Sequence, residues 1–87
     1  MIRILFTEKF LDSAARLPRN QQEKLSKLTE ILEKNVFHPQ LHTKALVGKL
    51  SGLYSFRITR DWRVIFQFIN PKTIQLLRVA HRKDIYR

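Results

Sequence analysis

Three residues near the end of the chain, His81, Arg82 and Tyr86, carry side chains suited to acid–base chemistry on a phosphate ester. Histidine transfers protons near neutral pH, and tyrosine can donate or accept a hydrogen bond or stack on a base. Together with arginines, these residue types suffice for RNA cleavage without a metal ion. A base deprotonates the ribose 2′-hydroxyl, cations neutralise the phosphorane, and an acid protonates the leaving 5′-oxygen, giving a 2′,3′-cyclic phosphate and a 5′-hydroxyl. The competing interpretation makes His81 a strand-end residue without a role and Tyr86 a tail residue packed on the body.

Three further arginines, Arg57, Arg63 and Arg78, are predicted to share one face of a β-sheet, because strand side chains alternate between faces. Guanidinium groups bind phosphate through paired hydrogen bonds and stay charged. Like charges directly opposite each other on neighbouring strands destabilise a sheet, so we expect an anion, such as an RNA phosphate, to lie between them. The alternative is a basic solvent-facing surface without a ligand, which is common on antiparallel sheets.

The segment that must position these arginines, residues 53–87, reads as three short strands joined by two tight turns, followed by a tail. A three-residue loop at positions 59–61 places Phe56 opposite Val64 and pairs the first two arginines. A two- or four-residue loop would instead mix apolar and charged faces, so the odd loop is preferred.

A second tight turn is predicted at Pro71–Lys72. It places Phe66 opposite Leu77 and Val64 opposite Val79, and it brings the third arginine to the face of the other two. The predicted sheet therefore has one aromatic and aliphatic face and one face that carries three arginines.

The N-terminal third is predicted to form a strand and two helices. Ile2–Phe6 is a short apolar run typical of a strand, and Thr7 can cap the helix that follows. Pro18 ends that helix, and the capping-box-like sequence Asn20–Glu23 predicts the start of the second. Asn35 is the predicted stop. The apolar stripes of both helices need a surface to cover, and the aromatic face of the sheet is large enough.

Residues 36–52 are predicted to link the helices to the last three strands, with Gly48 and Gly52 as breakers. The element order is β-αα-βββ in a single domain of residues 1–87, an α+β arrangement whose helices cover one sheet face. The position of the first strand, central or at an edge, stays open. Three leucines are expected to hold the linking segment against the body: Leu41, Leu46 and Leu50.

The charge balance indicates a polyanionic or acidic partner. Seventeen Lys and Arg against seven Asp and Glu give a formal charge of +10 on 87 residues. Such an excess is typical of proteins that bind nucleic acid or an acidic protein, although a merely solubilising charge is the alternative. The sequence has no cysteine, which fits a reducing cytoplasm, and no apolar run long enough to span a membrane.

Four residues are candidates for contacts with RNA: Lys44, Lys49, Arg78 and Asp61. The two lysines either face the nucleic acid or are simply solvated. Asp61 lies in the hairpin loop, where turn chemistry explains it, and an ion pair with one of the strand arginines is a second interpretation. Trp62 shares the parity of the apolar face and is predicted to be a core residue rather than a base-stacking platform.

No metal site or cofactor is expected. His38 and His42 are four residues apart, but a proline intervenes and no acidic or cysteine ligand lies close in the sequence. The sequence has no glycine-rich phosphate loop, Ser-His-Asp set or carboxylate pair, which argues against ATP chemistry and two-carboxylate mechanisms.

Three stretches carry a family resemblance: KLSGLYSFR at 49–57, WRVIF at 62–66 and VAHRKDIY at 79–86. They resemble the RelE/ParE superfamily of type II toxins, and the resemblance covers nearly the whole chain. It implies a toxin that is silenced by a cognate antitoxin. RelE-like members are ribosome-dependent mRNA endonucleases, whereas ParE-like members poison DNA gyrase and cleave no RNA.

The resemblance also implies roles for single residues and favours the nuclease branch. Arg57 matches a cationic strand position, and Arg63 matches the arginine that contacts the scissile phosphate. Arg82 matches the late cation that stabilises the phosphate or the leaving group. Tyr86 matches the terminal tyrosine assigned as base or stacking residue, and His81 matches the histidine assigned as general acid in YoeB- and YafQ-like members.

The sequence departs from each subfamily, so the acid–base assignment stays open. Asp61–Trp62 resembles the Asp-Trp pair of YafQ-like toxins, in which the acid is functional. The lysine that RelE-like enzymes carry two residues before Arg57 is Ser55 here, Lys44 most nearly matches the loop histidine of the YafQ-like group, and the YoeB-like glutamate has no counterpart. The implied partners are mRNA in the ribosomal decoding site and an antitoxin, acidic or with an amphipathic helix that covers the basic face. A ParE-like gyrase inhibitor and a non-toxic RNA-binding relative are the alternatives.

Overall fold

The computed structural model describes residues 1–85. Within that range the elements are β1 (Arg3–Phe6), α1 (Glu8–Ala15), α2 (Arg19–Lys34), β2 (Lys44–Ala45), β3 (Tyr54–Arg57), β4 (Trp62–Asn70), β5 (Thr73–His81) and α3 (Arg82–Ile85). Two 3₁₀ turns, Pro39–Leu41 and Gly48–Leu50, flank β2.

The strands form one mixed sheet in the order β1-β5-β4-β3-β2. β1 pairs with β5 in parallel, and the other neighbours are antiparallel. The predicted α+β class is confirmed, and the first strand lies at an edge of the sheet. β2 is not among the predicted strands, because a two-residue strand is too short to show alternation. No helix within residues 1–85 is long and apolar enough to cross a bilayer.

Helix α1 replaces β1 as the neighbour of β5 beyond the point where β1 ends. Thr7 caps α1 as predicted, because its side chain accepts a hydrogen bond from the Phe10 amide at 3.1 Å. The same hydroxyl donates to the Leu76 carbonyl at 2.8 Å, and Ser13 Oγ accepts from the Val79 amide at 2.9 Å. These bonds satisfy backbone groups of β5 that have no partner strand on that side.

Helix α2 begins earlier than predicted. The capping box at Asn20–Glu23 is wrong: the helix starts at Arg19, directly after Pro18, and Pro18 contributes no side-chain cap. The fixed φ of proline is already suited to a helix entry, so the turn needs no polar cap. Asn35 ends the helix as predicted, and its Oδ1 accepts a hydrogen bond from the Phe37 amide at 3.0 Å.

The main core lies between the helices and the aromatic face of the sheet, as predicted. Phe56 and Phe66 are fully buried at its centre, with ring centroids 6.0 Å apart. Both helices contribute apolar stripes to this layer. The other buried members of the main core are Phe10, Leu17, Leu25, Leu28, Leu32, Val36, Leu41, Ile58, Val64, Ile74, Leu76 and Val79.

The predicted register of the first hairpin is confirmed. Phe56 lies opposite Val64, and Arg57 lies opposite Arg63. The loop between β3 and β4 closes through a hydrogen bond from the Ile58 amide to the Trp62 carbonyl at 2.9 Å, which leaves three residues in the loop.

The predicted register of the second hairpin is wrong from Phe66 to Phe68, between two register shifts. Phe66 lies opposite Leu76 rather than Leu77, although Val64 lies opposite Val79 as predicted. A register shift between Ile65 and Phe66 inserts one extra residue into β5. Because of this bulge, Leu76 and Val79 both point into the main core although they are three positions apart.

Candidate functional site

Three arginines share the sheet face that points away from the helices, and we call this surface the cationic face. Arg57 and Arg63 are directly opposite each other on β3 and β4. Arg78 belongs to the next row of the same face, because it pairs with Ile65. Lys44 extends that row on β2. In order across the sheet, the two rows are Arg57–Arg63–Ala80 and Lys44–Ser55–Ile65–Arg78.

The cationic face is partly covered rather than open. Arg63 is only 5% exposed, and Arg57 and Arg78 are half-buried. A second apolar cluster covers this side of the sheet; its buried members are Leu46, Ile65, Ala80 and Ile85, and partly buried Leu50, Leu53 and Leu77 pack against it. The linking segment and α3 therefore shield the strand arginines from bulk water, which strengthens their electrostatic effect on any bound anion.

Two buried polar atoms on the cationic face lack hydrogen-bond partners within residues 1–85. One is Nε of Arg57, and the other is Oγ of Ser55, a residue that is fully buried. Buried polar groups are normally satisfied, so an unsatisfied pair on one face calls for an explanation. A ligand that carries hydrogen-bond acceptors would satisfy the arginine.

His81 is not on the cationic face. It is the last residue of β5 and pairs with Trp62, so by strand parity its side chain leaves the sheet on the helix-covered side. The imidazole meets the indole edge-on, with ring centroids 5.1 Å apart and an interplanar angle of 83°. The structure therefore separates the side chain of His81 from those of Arg57 and Arg63.

A hydrogen bond determines the tautomer of His81. Nδ1 lies 3.2 Å from the backbone nitrogen of Lys83 and accepts its hydrogen bond. An amide N–H can only donate, so Nδ1 carries no proton and the neutral ring is protonated on Nε2. The free edge of His81 is thus a hydrogen-bond donor.

Arg82 and Asp61 form the second contact at this end of the sheet. Nε of Arg82 lies 3.4 Å from Oδ1 of Asp61, and the Arg82 amide donates to the Asp61 carbonyl at 2.8 Å. Asp61 thus pairs with Arg82, the first residue of α3, whereas the sequence suggested an ion pair with a strand arginine. We call Asp61, Trp62, His81 and Arg82 the sheet-end cluster.

The two lysines lie at the rim of the cationic face. Lys44 is exposed on the edge strand β2. Lys49 and Arg78 line a groove of about 720 Å³ between the linking segment and α3, together with Asp84 and Ile85. That volume falls in the range of small-ligand sites, roughly 300–1,000 Å³, so the groove can take a nucleotide-sized group.

Trp62 is a core residue, as predicted, because it packs against the main core as a partly buried residue. Tyr86 lies outside the described residues, so its assignment stays a prediction. Within residues 1–85, no three His, Cys, Asp or Glu side chains are grouped closely enough to hold a metal ion. Nδ1 of His38 instead accepts a hydrogen bond from the Gln40 amide at 3.1 Å and caps a 3₁₀ turn.

A family model for the ParE toxin of type II toxin–antitoxin systems matches residues 4–86. The chain belongs to this family. It is a toxin of a type II toxin–antitoxin system in the RelE/ParE superfamily, as the sequence resemblance implied. No curated protein matches the sequence significantly.

Solved structures of family relatives share the fold. The archaeal RelE–RelB complex from Pyrococcus horikoshii matches at 25% identity and a TM-score of 0.75, covering 93% of this chain and 94% of that chain. The RelBE2 complex from Mycobacterium tuberculosis matches at 22% identity and a TM-score of 0.77, covering 93% of this chain and 98% of that chain. YafQ from E. coli matches at 15% identity and a TM-score of 0.77, covering 100% of both chains.

Two features of this family member escaped the sequence reasoning. The covering of the cationic face was one, although Ile65 signalled it as an apolar residue on the arginine side of its strand. The tautomer of His81 was the other, because it depends on a helical turn that begins at the next residue. Only the structure shows that turn.

Proposed function

We propose that this toxin is a ribosome-dependent mRNA endonuclease. The observation that carries the proposal is the pairing of Arg57 with Arg63 beside the sheet-end cluster. Arg63 shares its row with Ala80, the residue before His81. From a strand spacing of about 4.8 Å and a rise of about 3.4 Å, the backbones of Arg63 and His81 are roughly 6 Å apart. Cations and a hydrogen-bond donor thus border the same end of the sheet, from its two faces.

In the proposed reaction, the strand arginines bind the scissile phosphate and neutralise the charge that develops on the phosphorane. At the end of the sheet, His81 donates a hydrogen bond through Nε2 to an oxygen of the bound RNA. A role as general base or as general acid would require a proton on Nδ1, where it would face the Lys83 amide. Proton transfer from the 2′-hydroxyl and to the leaving 5′-oxygen therefore needs other groups, and Tyr86 is the candidate base from the family resemblance.

The second component of the proposal is a cognate antitoxin. Relatives have been solved as complexes with RelB antitoxins, which supports a protein partner of this kind. A formal charge of +10 and the partly covered cationic face suit an acidic segment or an amphipathic helix that competes with RNA.

The test is cleavage of a short mRNA by the purified toxin, with and without bacterial ribosomes. We expect cuts in phase with codons that require ribosomes, and products ending in a 2′,3′-cyclic phosphate and a 5′-hydroxyl. Arg63→Ala and Arg82→Ala should each lower the rate by about 10²–10³-fold, the usual effect of removing one electrostatic stabiliser. Arg19→Ala removes an exposed cation of α2 and is the matched control.

A gyrase inhibitor is the second candidate, because the matching family model is that of the ParE toxin. A supercoiling assay with purified gyrase separates the two functions. Inhibition of supercoiling by a protein that leaves ribosome-bound mRNA intact would replace the nuclease proposal.

A further inference from the structure

Asp61, the last residue of the β3–β4 loop, and Trp62, the first residue of β4, contact two consecutive residues of the candidate site. These are Arg82 and His81. Asp61 contacts Arg82 twice, once through its carboxylate at 3.4 Å and once through its backbone carbonyl at 2.8 Å. Trp62 contacts His81, both as its ladder partner and edge-on through the rings at 5.1 Å. The loop and the junction between β5 and α3 are therefore connected residue by residue.

We propose that Asp61 and Trp62 are positioning residues, which orient Arg82 and His81 toward the substrate phosphate without touching RNA themselves. The inference rests on the proposed function and deepens it. It also replaces the sequence-based expectation that Asp61 contacts RNA, because an acidic side chain would repel a phosphate unless a cation lay between them.

The exposure of the Asp61–Arg82 pair argues against a role in folding. The two side chains are 53% and 44% exposed, and ion pairs this open contribute little to stability. The pair matters more for the orientation of the Arg82 guanidinium group than for stability. The carboxylate meets Arg82 at Nε, which is not one of the two terminal nitrogens that form the end-on fork for two phosphate oxygens.

Trp62 links His81 to the rigid part of the molecule. The indole packs against the main core, and its contact with the imidazole limits the rotation of that ring. On the other side, the Lys83 amide holds Nδ1. With both constraints in place, Nε2 is the nitrogen that remains available. A hydrogen-bond donor stabilises developing charge only when its N–H points at the charged atom, so this orientation matters for rate more than for stability.

A double-mutant cycle tests whether Asp61 acts through Arg82. The variants are Asp61→Asn, Arg82→Gln and the double variant. Glu23→Gln is the control, because it breaks another exposed ion pair, Arg19–Glu23 on α2. We expect Asp61→Asn to slow cleavage by about 10-fold or more, since small misplacements cost up to about 10²-fold. The double variant should cleave no more slowly than Arg82→Gln alone. Independent, multiplying losses would overturn the proposal, and so would full activity of Asp61→Asn.

Two further readouts separate this inference from the proposed nuclease function. The same cycle is scored by growth arrest on induction, which reports positioning whatever the target is. The tautomer of His81 is read by ¹⁵N NMR of the imidazole in wild type, Trp62→Phe and Trp62→Leu. We expect a single Nε2–H tautomer in wild type and Trp62→Phe, and a mixture in Trp62→Leu. If wild type arrests growth without cutting mRNA, the nuclease proposal fails alone. If Trp62→Leu keeps both the tautomer and full toxicity, the positioning role of Trp62 is refuted.

Discussion

Arg57 lies directly opposite Arg63 in the ladder between β3 and β4, and Arg63 is only 5% exposed. Nε of Arg57 is buried as well, without a hydrogen-bond partner within residues 1–85. Facing like charges destabilise a sheet, and the low dielectric around buried groups increases their repulsion. Sites that break a local rule in this way are commonly functional.

The first prediction concerns the stability cost of this pair. Arg57→Gln removes one of the two facing charges and keeps a side chain of similar polarity. We expect the free energy of unfolding to rise by about 0.2–1 kcal/mol, the usual range for a cross-strand pair. The same variant should lose about 10²-fold or more in cleavage rate. Urea denaturation and the ribosome cleavage assay measure the two effects.

The control for this prediction is Lys27→Gln, which removes an exposed cation of α2 and should leave both stability and cleavage unchanged. An Arg57→Gln variant that is less stable than wild type would show that the repulsion is already compensated within the free protein.

The second prediction concerns the reach of the RNA interface. If Lys49 and Arg78 bind phosphates through the groove that they line, each change to Gln should reduce the salt dependence of binding to a single-stranded RNA. The slope of log affinity against log salt should fall by about 0.7 for each phosphate that the variant no longer neutralises. Fluorescence anisotropy between about 50 and 200 mM salt measures it. Lys24→Gln and Lys27→Gln are matched controls on α2, and equal slopes for all four variants would exclude the groove.

How much of the fold the sequence specified can be judged from the two hairpins. The first is predictable in full, because a charged and an apolar face fix the register between Arg57 and Arg63. The second is predictable only in part, because both faces of β5 are apolar near Leu76 and Leu77. When either neighbour can be buried, alternation no longer specifies the register, and a bulge leaves the hydrophobic pattern unchanged.

The candidate site was likewise predictable from the sequence only in part. Strand parity placed Arg57, Arg63 and Arg78 on one face, and the structure agrees. Parity also puts His81 on the opposite face from these arginines, but it could not place Arg82, which follows the strand and contacts Asp61. That contact joins residues about twenty positions apart in the chain, and no local pattern records it.

The third prediction tests the bulge in β5. Leu76 is fully buried in the main core, whereas Leu77 is a partly buried member of the second cluster. Leu76→Ala should therefore lower the free energy of unfolding by about 2–5 kcal/mol, the range for large-to-small changes in a core. Leu77→Ala should cost less than about 2 kcal/mol, because less apolar surface is removed from a buried environment. Chemical denaturation of both variants measures the difference. A larger loss of stability in Leu77→Ala than in Leu76→Ala would contradict the bulge and favour the regular register.

The last prediction concerns Ser55, which the sequence resemblance matches to a lysine of RelE-like enzymes. Its hydroxyl is fully buried between Lys44 and Ile65 and has no hydrogen-bond partner within residues 1–85. Removing a buried hydroxyl without a partner costs no hydrogen bond and relieves its desolvation, so Ser55→Ala should leave stability unchanged or raise it by up to about 1 kcal/mol. Cleavage should stay at the wild-type rate, because the strand arginines supply the charge that a lysine would otherwise supply here. Thermal unfolding and single-turnover cleavage of Ser55→Ala measure both quantities. A loss of cleavage at unchanged stability would instead place the Ser55 hydroxyl in contact with the substrate, and Ser55→Thr should then restore part of the rate because it returns the hydroxyl.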